Sequence, residues 1–165
     1  MNFNVPGVPP GNYHLIVRAD LGNQTRETVE TNNFVSYGPV PITVRELTIG
    51  GSALSGVLTP GQRLQYFAIH VPAGESLRLT LNGQAGVNHL FVNFASIPTR
   101  LNADLAGTSP ASGQTVTLTG VPGGGVYYVL VSGEQVGQGG TPFTLSAVTA
   151  PFFVTGITPG QVVGG

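Results

Sequence analysis

The chain contains no cysteine and no tryptophan, and its six cationic side chains other than histidine are all arginine. Without cysteine, no disulfide staples the fold and no thiolate is available as nucleophile or metal ligand. Charged residues make up only 8% of 165 positions and nearly cancel, leaving a formal net charge of −1. The arginines are scattered, which excludes the clustered basic surface that nucleic acid or an anionic membrane requires. No run approaches the ~18 apolar residues of a membrane-spanning helix. The start, MNFNVPGVPPG, lacks the basic residues and apolar centre of an export signal. If the chain works outside the cell, it is expected to be a mature piece or fragment of something longer. A surface so poor in charge stays in solution through Ser, Thr, Asn and Gln, through glycosylation, or by being covered in an assembly.

What the chain has instead is Gly 25 and Pro 13 beside 41% hydrophobic residues. That is about twice the ordinary usage of Gly and Pro together. With enough apolar surface left to build a core, it implies many short strands and turns. The clearest stretch is Leu64–Leu81, two extended runs around the corner Val71-Pro72-Ala73-Gly74. In the second run Leu77, Leu79 and Leu81 alternate with Ser76, Arg78 and Thr80, the period of a half-buried strand. The first run is apolar on both faces, as expected of a central or covered strand. Similar corners stand at Val8-Pro9-Pro10-Gly11 and Val121-Pro122-Gly123-Gly124, each before another apolar run.

Seven or eight strands at short spacing between residues 54 and 148 predict an antiparallel β-sandwich, with Leu90, Val92 and Phe94 pointing inward and Ala95–Gly113 as a long irregular excursion. The fold class is all-β, a jelly-roll or immunoglobulin-like sandwich with partial β-modules at its flanks. Residues 1–40 read as a hairpin: a strand at Tyr13–Asp20, a polar acidic elbow, and a short strand Phe34–Tyr37. So few strands do not stand alone in water. Residues 41–53 read as a linker strand with a Gly-rich joint.

Sites of chemistry are absent from this pattern. His14, His70 and His89 fall in separate strands and read as solvent-facing positions, too far apart in sequence for a metal motif. No G-x-S-x-G elbow exists; Ser52 and Ser132 lack its flanking glycines. Glu46, Glu75, Asp104 and Glu134 are single carboxylates in or beside turns, with nothing pairing them as acid and base. Gly123-Gly124-Gly125 and Gly139-Gly140 precede strands and lack the lysine of a phosphate loop. No catalytic, cofactor-binding or metal residue is assigned. The elbow residues Asp20, Asn23, Glu27 and Glu30 supply oxygens of the kind calcium prefers. Their spacing is not that of an EF-hand, and side-chain bonds to the hairpin's own backbone account for the same residues. Asn23-Gln24-Thr25 matches an N-glycosylation sequon, and the Thr/Ser-rich stretch 107–119 offers hydroxyls for O-linked sugar. The Phe and Tyr residues fall mostly on strands and read as core rather than as a sugar-stacking platform.

Three resemblances follow from particular residues. Gly11-x-Tyr13-x-Leu15-x-Val17-x-x-Asp20, then Asn23, then Glu27-x-x-Glu30-x-Asn32-Asn33, resembles the closing hairpin of the bacterial cell-adhesion-related domain CARDB. Ser55-Gly56-x-Leu58-x-x-Gly61, Tyr66-Phe67-x-Ile69-x-Val71-Pro72-Ala73-Gly74-x-Ser76-Leu77 and Gly125-x-Tyr127-Tyr128-Val129-x-Val131 resemble the bacterial pre-peptidase C-terminal (PPC) domain, over residues 54–148. Relatives often carry Asp-x-Asp-Leu where this chain has Asn88-His89-Leu90-Phe91, so the calcium or collagen binding of some relatives is not carried over. Residues 149–165, with Phe153, Gly156-Ile157 and Pro159-Gly160, are similar to the opening of an IPT/TIG module; a terminal strand added to the chain's own sheet is the alternative. Together the resemblances imply a non-catalytic, extracellular structural or adhesive segment of a bacterial surface protein or filament. Its expected partners are copies of itself or neighbouring β-modules, joined by strand complementation. The alternative is an accessory module that holds a secreted hydrolase on protein or polysaccharide.

Overall fold

The structure, a computed structural model, describes residues 8–19, 22, 24–26, 28, 33–120 and 123–150. Asp20, Asn23, Glu27 and Glu30 of the acidic elbow, and the whole terminal segment 151–165, lie outside the described residues. Among the described residues every regular element is a strand, and all pairings between the strands whose register is defined are antiparallel. The all-β expectation holds. The chain divides into two compact units, Met1–Arg45 and Glu46–Gly165.

The first unit is a two-stranded hairpin, β1 (Gly11–Arg18) with β2 (Phe34–Ile42). Leu15 pairs with Tyr37 and Val17 with Val35, so these four share one face. Ile16 opposite Ser36 and Arg18 opposite Phe34 make the other. The second strand runs well past the expected Phe34–Tyr37. A bulge between the Tyr13–Val40 and Leu15–Tyr37 pairs absorbs Gly38 and Pro39, joined by a cis peptide bond. Gly38 lies so close to β1 that a Cβ there would sit 2.9 Å from the Tyr13 carbonyl oxygen, and its φ of 154° suits glycine.

The second unit is a sandwich. One sheet runs β3 (Arg45–Glu46), β5 (Leu64–Val71), β10 (Gly125–Gln135), β7 (Val87–Phe94), β8 (Leu105–Gly107). The other runs β4 (Leu54–Leu58), β11 (Thr141–Thr149), β6 (Leu77–Gly83), β9 (Gln114–Leu118). Leu77, Leu79 and Leu81 of β6 are fully buried against Phe67, Ile69, Val92 and Val129 of the facing sheet. Phe67 meets Phe143 edge to face across the two sheets, at 6.2 Å between ring centres. Gly56 leaves room for that ring, since a Cβ there would lie inside the Phe143 side chain. The corner between β5 and β6 is closed by Glu75 N–H donating to the Pro72 carbonyl, with Gly74 at φ 79°. Leu47, within the segment read as a linker, fills the core and donates its N–H to the Ala68 carbonyl.

The strands read as apolar on both faces, β5 and β10, lie side by side in the middle of their sheet. Outward-facing Leu130 and Phe91 are nevertheless buried. The excursion after β7 folds back over them, with Pro98 buried and Arg100 reaching Ser132 on β10. The excursion is less irregular than its sequence suggests, because Leu105–Gly107 forms the edge strand β8. Phe94 departs from the inward expectation. As the last residue of β7 it stands at the end of the sandwich, 48% exposed, leaning on Tyr127.

Candidate interaction surface

The three histidines lie on three different strands. His14 is exposed on β1 and His70 on β5, the latter 3.7 Å from the Glu46 carboxylate. His89 is the exception to the solvent-facing expectation: its side chain is only 21% exposed and lies 3.5 Å from Glu134. Among the described residues no three His, Cys, Asp or Glu side chains converge as a metal group.

Around Glu134 the fold builds a contact that the sequence did not reveal. Glu134 lies within β10 rather than beside a turn. Its Oε1 takes the Arg100 Nη2 at 2.8 Å, while Arg100 Nε donates to Ser132 Oγ at 2.9 Å. Ser132 is fully buried and itself donates to Glu134 at 3.2 Å. Arg100, Ser132 and Glu134 thus hold one another in a closed set of contacts that clamps the excursion to β10. Asn93 adds to it, its Oδ1 accepting the Asp104 N–H at 2.6 Å. Asp104 in turn accepts the Phe94 N–H at 2.8 Å. Burial first, and the Asp104 charge second, push the Tyr127 phenol above its ordinary pKa. These contacts fix residues 95–104 on the sheet.

The next excursion is held by Gln114, buried at the start of β9. Its Nε2 donates to the Asn88 and Ser109 carbonyls, at 2.8 and 2.7 Å, and its Oε1 accepts from Ser109 Oγ. A shallow hollow of about 230 Å³ lies outside it, lined by Thr80, Asn82, Ser109 and Thr115 without any charged group. The glycine runs behave as turns: Gly140 N–H donates to the Gly137 carbonyl with φ 84° before β11, and Gly124 and Gly125 open β10.

The feature with potential for recognition is the hairpin. Ile16 is 66% exposed, Phe34 and Val35 each 62%, and Tyr37 71%, with Leu15 and Val17 also open. Apolar side chains therefore stand in water on both sides of a sheet only two strands wide. The sequence carries the signal in the adjacent apolar triplet Leu15-Ile16-Val17, which a strand with one wet face would interrupt.

No family model matches the chain, and no curated protein does. Among solved structures the chain is similar to the pre-peptidase C-terminal domain of a collagenase from Bacillus anthracis, at 14% identity and a TM-score of 0.51, over 67% of this chain and 99% of that one. A second, looser likeness is to a periplasmic inhibitor of g-type lysozyme from Aeromonas hydrophila, at 14% identity and a TM-score of 0.39, over 66% of this chain and 100% of that one. The first likeness is one of fold alone; it extends no support to the CARDB and IPT/TIG readings of the two ends. The chain carries a β-sandwich whose fold is similar, distantly and in part, to that of the pre-peptidase C-terminal domain.

Proposed function

We propose that this chain is a non-catalytic structural and adhesive segment of a bacterial extracellular surface protein or filament, joined to neighbouring β-modules by strand addition at its hairpin. The observation that carries the reading is the hairpin β1–β2, which exposes Ile16, Phe34, Val35 and Tyr37, whereas β6 of the sandwich buries Leu77, Leu79 and Leu81. Unpaired sheet edges are templates for further strands. In this reading residues 1–40 are the closing hairpin of a CARDB-like module, 41–53 a linker strand, 54–148 a PPC-like sandwich, and 149–165 the first strand of a further module. Low charge and the lack of lysine suit a surface covered by like modules.

Light scattering on the full chain over a range of concentrations tests this. Association above the 17.0 kDa monomer is expected. A strict monomer at every concentration, retained instead on insoluble collagen, chitin or cellulose, would replace the proposal with an accessory substrate-binding module.

A further inference from the structure

The two long edges of the hairpin are not equivalent. Ala19 N–H donates to the Asn33 carbonyl at 2.7 Å, and residues 18 and 34 are directly opposed. Backbone groups in an antiparallel pair alternate between inward and outward. Ala19, Val17 and Leu15 therefore point their N–H and C=O groups toward β2, and Arg18, Ile16, His14 and Asn12 point theirs away. All four outward residues of β1 carry an N–H. On β2 the outward row is broken, because Pro41, opposite Asn12, has no N–H and Pro39 occupies the bulge. Proline on an edge blocks further pairing. Strand addition at the hairpin is thus directed to β1.

The other described edges of the chain offer no match for it. The edge strands β3 and β8 have two and three residues, β4 and β9 five each, against eight for β1. Resting on the proposed strand addition, we infer that the partner of β1 is β1 of a second copy, paired antiparallel about a two-fold axis through Leu15. In that register Ile16 of each copy faces His14 of the other, and Arg18 faces Asn12. About eight backbone hydrogen bonds form between the outward groups. A slip of two residues either way leaves only three of the four outward residues within the paired strand, and with them about six bonds in place of eight. The product is a four-stranded sheet, β2-β1-β1-β2, whose two outer edges both carry the proline-broken row. It closes as a dimer and does not grow.

The lack of cysteine makes the register directly readable. Leu15→Cys in the full chain is expected to give a disulfide-linked dimer on mild oxidation. Tyr13→Cys and Val17→Cys link to each other when mixed, and neither links to itself. Ile16→Pro removes only an outward N–H and should weaken dimerisation by about 10- to 100-fold. Oligomers larger than two, or association without the Leu15→Cys crosslink, would overturn the two-fold pairing and leave strand addition standing. A monomer at all concentrations with no crosslink would overturn both.

Discussion

Leu77, Leu79 and Leu81 on β6 have no exposed surface, whereas Leu15, Val17, Val35 and Tyr37 on the hairpin keep between 38% and 71% of theirs. Both regions are antiparallel, and both are rich in β-branched and aromatic residues. The difference is the presence of a second layer. In the sandwich each sheet gives the other somewhere to put its inward row, and burial follows at about 25 cal/mol per Å² of apolar surface. In the hairpin the backbone bonds are made but these side chains stay exposed. A strand pattern therefore specifies an element without specifying its burial. The sandwich holds itself together by burial, and the proposed strand addition supplies the hairpin with a partner.

The largest effect that sharpens this comparison is a core deletion. Leu79→Ala should cost the sandwich about 2–5 kcal/mol through lost transfer energy and a cavity. Ile16→Ala on the hairpin should move thermal stability by less than about 0.5 kcal/mol. Equal losses from the two changes, measured by thermal denaturation, would erase the distinction. Next in size is Gly56→Ala. The new methyl would collide with the Phe143 ring, so a loss of about 1–3 kcal/mol is expected. Gly61→Ala, with nothing within 4 Å of its Cβ position, serves as the neutral control.

Smaller again is Glu134→Gln. It weakens the Arg100 pair, whose side chain is 44% exposed and hence screened by solvent. A cost of at most about 1 kcal/mol is expected, shrinking with added salt and concentrated in faster amide exchange over 95–104. Unchanged exchange there would show that Pro98 and the Asn93 contacts hold the excursion alone. The smallest effect is at alkaline pH. The phenols of Tyr66 and Tyr127 are raised above 10.0, both led by burial. The folded state therefore keeps protons that the unfolded chain releases, and stability falls as pH rises past 10. The Tyr66→Phe and Tyr127→Phe variants should each flatten that decline; an identical slope in both would remove burial of these phenols as its cause.

The sandwich was largely legible because its pattern is local. The β6 alternation, the Val71-Pro72-Ala73-Gly74 corner and the doubly apolar runs of β5 and β10 all carry their structure in adjacent residues. Three features were not. Edge strand β8 is Leu105-Ala106-Gly107, too short to show a period. Strand β2 continues past two prolines because a bulge accommodates Pro39 and Pro41 stands where its missing N–H would point away from β1, whereas proline in sequence reads as a stop. The Glu134 clamp joins Arg100 to residues more than thirty positions away, and such contacts exist only once β7 and β10 are paired. Phe94 shows a further limit. Alternation assigned it inward, but the sandwich ends where it stands, and its ring finds Tyr127 instead of the core. At the hairpin, the small number of strands was legible in the sequence, and the structure added that both prolines lie on β2 while β1 has none.

The central claim is that the sandwich is self-sufficient while β1 is completed by association. Hydrogen–deuterium exchange of the full chain at low and high protein concentration tests it most directly. The account predicts that the amides of Asn12, His14, Ile16 and Arg18 become protected as concentration rises, while those of β5 and β10 are protected equally throughout. Outward β1 amides that exchange at the same rapid rate at every concentration would contradict it.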